Sequence, residues 1–195
     1  PNEVYKNPAN MFVAGFIGTP AMNFLHGIVE KGFFVLDGTG EKIRLTPDQK
    51  KLLANYEGKR LVYGIRPENL IFEEDDRFEK FKDCSFKLKT GMVELLGDIV
   101  NVHGTSGENK AILKMSSKYS VKDKTEITVA TDCEYARFFN ETTTRAITSN
   151  DCEYEEVEAT DLTDEDKVVI IEKPKGLISK AVDAIKGAVN KKSDK

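Results

Sequence analysis

Phe12-Val13-Ala14-Gly15-Phe16-Ile17-Gly18-Thr19-Pro20-Ala21-Met22-Asn23-Phe24-Leu25, close to the amino terminus, is the stretch on which the reading of this chain turns. It is a mostly apolar ribbon, and each of its large side chains gains about 1.5–3 kcal/mol when buried, so something must cover it. Gly15, Gly18 and Pro20 interrupt both the helical and the strand period. That predicts neither a plain helix nor a plain strand but a bent connector with close backbone approach, a hinge leading into a fold.

Around the ribbon, 195 residues with 39% hydrophobic content suffice for one generous domain or two small ones. No run of eighteen apolar residues and no basic-then-apolar leader occurs, so the expectation is a cytoplasmic chain with no bilayer span. The sequence begins at Pro1 with neither Met nor helix cap before the ribbon, which reads as a fragment of something longer. Cys84, Cys133 and Cys152 are odd in number and far apart, fitting neither a disulfide framework nor paired zinc ligands; reduced structural thiols are expected. His26 and His103 stand alone, each followed by Gly, as turn or strand-end residues do.

The net charge of −4 is unevenly spread. From Lys173 to Lys195 seven Lys face Asp183 and Asp194, leaving a +5 tail on a −9 body. An acidic body lacks the clustered cations that displace counterions from phosphate, which argues against nucleic acid.

Downstream of the ribbon, Asn23 to Glu30 and Gly32 to Leu36 read as short strands, with a turn at Asp37-Gly38-Thr39-Gly40 before Glu41 to Leu45. Thr46-Pro47-Asp48-Gln49 is a helix start, with Thr46 as N-cap, Pro47 at N1 and Gln49 closing a capping box. A strand from Arg60 stops at Pro67, which places Arg66 and Glu68 at its end. Glu73 to Asp83 is charged enough to predict a solvated loop, an insertion without a site. Ser85 to Val102 reads as one long strand bent or bulged at Gly97, flanked by Glu94 and Asp98. Strands over Ala111–Met115 and Thr125–Ala130 follow, then the aromatics of Glu134–Asn140. So many short strands indicate a sandwich or small barrel. Glu153 to Lys167 reads as an acidic tether. Leu177, Ile178, Val182, Ile185 and Val189 then recur at three- and four-residue steps on a basic amphipathic helix suited to the protein's own barrel, a partner or an anionic membrane face.

Nothing in the sequence supplies a phosphate-cradling GxxxxGK[ST] loop or a nucleophile beside a His, so no enzyme, metal site or cofactor site is read in this fragment.

Glu3-Val4-Tyr5 and Pro8 through Phe24 closely resemble a junction in the ATP-binding subunits of maltose- and multiple-sugar-type ABC importers, where the nucleotide-binding domain meets the carboxy-terminal regulatory domain. Gly64-Ile65-Arg66-Pro67-Glu68 resembles that family's second landmark and Val93-Glu94-Leu95-Leu96-Gly97 its third, with Phe138-Phe139 and Ile147 at the close. The resemblance covers Pro1 to about Thr148. It implies a mainly β, OB-like barrel of the TOBE kind with one short helix, working as a non-catalytic regulatory and dimerisation domain. It implies a linker over 1–22 and the OB-like domain over 23–148; beyond it the residues themselves read as the tether over 149–172 and the basic helix over 173–195. Phe12, Gly15, Phe16 and Gly18 become the inter-domain hinge. Arg66 and Glu68 would organise the barrel end near the dimer contact, and Glu94 would lie on a strand available to the partner subunit, against the plainer reading of all three as exposed salt-bridge residues. ATP and Mg would be used upstream of Pro1, at the inner face of the cell membrane, with a second copy, the membrane subunits and a regulatory protein as partners. The alternative is a stand-alone OB-type module for a small ligand, an oxyanion or sugar, from a related importer.

Overall fold

Two five-stranded antiparallel sheets carry the fold in the computed structural model, which describes residues 2–150. The acidic tether, the basic helix with Leu177 to Val189, and Cys152 lie outside the described residues. The first sheet is built from β1 (Asn23–Glu30), β2 (Phe33–Leu36), β3 (Lys42–Arg44), β4 (Arg60–Ile65) and β10 (Arg137–Asn140), in the order β10-β4-β1-β2-β3. The second is built from β5 (Leu70–Phe72), β6 (Ser85–Leu96), β7 (Ile99–Ser106), β8 (Asn109–Ser116) and β9 (Glu126–Thr131), in the order β5-β9-β6-β7-β8. The mainly β, OB-like expectation is thus met.

Local chemistry sets these elements. In β1, buried and half-buried residues alternate, as a strand covering a core on one face must. Its turn into β2 holds Lys31 and Gly32 at φ 48° and 80°, the left-handed pair of a tight hairpin, so Glu30 faces Phe33. The expected capped helix is α3 (Pro47–Leu52 in the sequence, preceded in chain order by α1, Asn2–Lys6, and α2, Met11–Phe16). Thr46 Oγ1 accepts from Gln49 N–H at 3.2 Å and Gln49 Oε1 accepts from Thr46 N–H at 3.0 Å. The Gln49 amide also donates to the Cys133 carbonyl at 2.7 Å, so the cap ties the helix to the end of the second sheet.

Between the sheets, Phe34, Tyr63 and Phe138 pack ring against ring at 5.3–6.2 Å, all fully buried. The Tyr63 hydroxyl meets Thr131 Oγ1 at 2.8 Å, satisfying the one polar atom of that cluster. Two asparagines join the sheets where β1 runs beside β8. Asn23 donates to the Ile112 carbonyl and accepts from its N–H, at 2.9 and 2.8 Å. Asn109 does the same to His26, at 3.1 and 2.8 Å. Each carboxamide stands in for a peptide group, so the seam is closed by side chains where no ladder links the strands.

Two local expectations need correction. Gly97 is no bulge: at φ +68° it forms, with Asp98, the two-residue turn between β6 and β7, and the register shift lies between Thr90 and Val93. Glu73 to Asp83 is no bare solvated loop, because it contains α4 (Phe78–Phe81), whose Phe78 and Phe81, three residues apart, share a face against the core. Cys84 and Cys133 are the reduced, buried thiols expected, and although far apart in sequence they meet through a thiol–thiol hydrogen bond.

Candidate functional site

The amino-terminal ribbon folds as a joint rather than a loose hinge. Asn10, in extended conformation, accepts from Val13 N–H at 2.9 Å and so caps α2. A helix therefore runs through Gly15, contrary to the expected irregular connector. A Cβ at Gly15 would meet the Phe24 ring at an ordinary 3.5 Å, so space does not demand glycine there. Gly18 is different: φ is +108° and a Cβ would stand 3.2 Å from both Arg66 Nη1 and the Tyr5 ring. The Thr19–Pro20 peptide that follows is cis.

One face of α2 is sealed against the first sheet, where Ala14 is fully buried in a small cluster with Met22, Val62 and Phe139. The other face carries Phe12 and Phe16, 76% and 80% exposed, one helical turn apart and stacked at 6.1 Å. Arg66, 3% exposed at the end of β4, clamps the joint. Its Nη1 donates to the carbonyls of Ala14 at 3.0 Å and Ile17 at 2.5 Å, and its Nη2 to that of Tyr5 at 3.0 Å. The guanidinium also lies over the Tyr5 ring at 4.1 Å, while the Tyr5 hydroxyl donates to Glu68. Burial first, then the Glu68 carboxylate, raise the Tyr5 phenol above its ordinary pKa. Arg137 adds bonds to the Lys6 carbonyl at 3.0 Å and to Asn7 Oδ1. Arg66 and Glu68 thus lie together at the strand end, and both are engaged with the segment before α2.

Glu94 lies elsewhere, on the outer half of β6. Beyond the register shift, β6 and β7 run out as an arm with Met92, Leu95 and Leu96 exposed, Leu95 at 69%. Alternation puts Met92 and Leu96 on one face and Leu95 on the other. The Glu94 carboxylate meets His103 Nε2 at 2.9 Å, with both side chains partly exposed. Within this chain its partner is thus a partly exposed histidine, a surface contact of the kind worth under about 1 kcal/mol. Among the described residues no helix is long and apolar enough to cross a membrane.

Residues 18–70 match the family described as the MalK OB fold domain. The chain is 35% identical over 146 residues to the oligosaccharides import ATP-binding protein MsmX of Bacillus subtilis, covering 73% of this chain and 39% of that protein. It is 38% identical over 152 residues to the trehalose/maltose import ATP-binding protein MalK of Thermococcus litoralis, covering 75% and 40%. The chain thus spans about two-fifths of the length of these relatives. A solved structure of the cytoplasmic molybdate-binding protein ModG overlaps 60% of this chain and 94% of its own, with a TM-score of 0.47 at 12% identity.

Proposed function

From a chain that carries a MalK-type OB fold domain and is related to the ATP-binding subunits of sugar ABC importers, we propose a non-catalytic regulatory and dimerisation domain of such a subunit. The observation that carries the reading is the placement of its bare apolar side chains. Among the described residues, the most exposed large apolar groups are Phe12 and Phe16 on the joint and Met92, Leu95 and Leu96 on the arm, with Val4 and Tyr135 exposed to a lesser degree. Exposed apolar clusters of this kind mark interaction sites. The joint faces the ATP-binding part of the parent protein, where ATP and Mg²⁺ are used. The arm receives a second copy, keeping two subunits together at the inner face of the membrane while their ATP-binding parts open and close beside the membrane subunits. A regulatory protein then acts by docking on a surface that stays in place through the cycle.

Sedimentation equilibrium of the chain tests the reading. A reversible dimer with a dissociation constant in the range of about 10–100 µM is expected, about 5–7 kcal/mol of association. A chain that stays monomeric to about 1 mM contradicts it.

A further inference from the structure

A cleft of about 700 Å³ lies over the asparagine-stapled seam between the two sheets. That is within the range of pockets that hold small organic molecules, roughly 300–1,000 Å³, and far more than one bare tetrahedral oxyanion fills. Met22, just before β1, and Phe24 and His26 on β1 line it from one side, and Lys89, His103 and Lys110 of the second sheet from the other. The two histidines, unrelated in the sequence, therefore open onto one space.

The seam determines which groups are left for a ligand. The carboxamides of Asn23 and Asn109 are consumed by backbone groups across the seam. His26 gives Nδ1 to Glu141 at 3.0 Å, and Glu141 is held in turn by Arg60 at 2.9 Å. His103 gives Nε2 to Glu94. Each carboxylate fixes one ring nitrogen and leaves the other as the atom open to a further partner. Lys89 and Lys110 have no ion pair among the described residues, and Glu108 is the one carboxylate on the lining. The remaining groups are thus the Lys89 and Lys110 ammoniums as donors and the second ring nitrogens of His26 and His103 as acceptors on one side, with the Phe24 ring, fixed edge-on against Phe139 at 5.8 Å, and Met22 on the other.

We propose that this cleft binds a small phosphorylated organic molecule, the phosphate on Lys89 and Lys110, the hydroxyls donating to the free ring nitrogens of His26 and His103, and the carbon skeleton over Phe24 and Met22. Charge-assisted donors are what a phosphate selects, and the apolar wall and the volume call for the organic body. The site does not need the dimerisation reading, because Phe12, Phe16 and the arm's leucines lie outside its lining, and the arm touches it only through the hold of Glu94 on His103 and the root of β6.

The test is a two-dimensional amide NMR titration of the full chain with glucose 6-phosphate, with glucose and inorganic phosphate in parallel. Saturable shifts are expected at the amides of Phe24, His26, His103 and Lys110, with a dissociation constant of about 1 mM or tighter for glucose 6-phosphate and about tenfold weaker for either control. His103→Gln and Lys110→Gln each weaken binding by about tenfold, whereas Leu95→Ser leaves it unchanged. No saturation by about 20 mM, shifts outside the cleft, equal binding of either control, or binding indifferent to both substitutions overturns the proposal.

Discussion

The amino-terminal joint and the β6–β7 arm both present large apolar side chains to solvent, yet they are held in opposite ways. The joint is fastened from behind by a buried guanidinium reaching three carbonyls, by the Tyr5–Glu68 bond and by Ala14 sealed into the sheet. The arm is held by its own ladder with β7 and by β7's pairing with β8. The difference separates two quantities that exposure alone confuses. Substitutions behind the joint are expected to act on stability, whereas on the proposed reading substitutions on the arm's surface act on association.

The largest effect is expected for Arg66→Met, which leaves three carbonyls without their charged donor. A loss of about 3 kcal/mol or more is expected in urea unfolding, with faster amide exchange at Ala14 and Ile17. A loss below about 1 kcal/mol would mean that the joint is as weakly held as the arm. Gly64→Ala comes next. Its Cβ would stand 2.6 Å from the Phe139 ring and 2.8 Å from Met22 Sδ, beneath the joint, so about 1–3 kcal/mol of overpacking is expected. Gly91→Ala, at the root of the arm, meets only the His103 carbonyl at 3.6 Å and should change stability by less than about 0.5 kcal/mol. Tyr5→Phe keeps the ring against Arg66 and removes the bond to Glu68, for about 1 kcal/mol in the same assay.

A further effect is one of pH. Because the folded Tyr5 phenol has a raised pKa, its contribution is fully present below the unfolded value of about 10 and is lost as pH rises through the folded one. Stability measured at about pH 9 and about pH 11 should fall further for the parent chain than for Tyr5→Phe. Equal falls would mean that the phenol is not held in the joint.

Much of this architecture is legible in sequence where the signal is local. The Lys31-Gly32 hairpin, the Thr46–Gln49 capping box and the strand end at Arg66-Pro67-Glu68 each lie within a few residues. Gly97-Asp98 was equally legible as a hairpin turn, a Gly-Asp pair between apolar runs, but continuous hydrophobicity on both sides favoured one long strand. For α2 the signal was Asn10 ahead of the apolar run. A single Gly costs a helix only about 1 kcal/mol, which burial of Ala14 and the Arg66 clamp offset. What sequence could not supply is long-range. Arg66 meets carbonyls 49 to 61 residues away, and Asn23 and Asn109 close the seam across 89 and 83 residues. The convergence of His26 and His103 on one cleft depends wholly on that closure.

Symmetric cross-linking tests most directly the claim that the arm, and not the joint, pairs two copies. In a Cys152→Ser background, Leu95→Cys and Phe12→Cys chains are oxidised at concentrations above the dissociation constant that the proposed dimer requires. The account predicts rapid interchain disulfide formation for Leu95→Cys and little for Phe12→Cys. Efficient cross-linking through Phe12→Cys, with Leu95→Cys remaining monomeric, would contradict it.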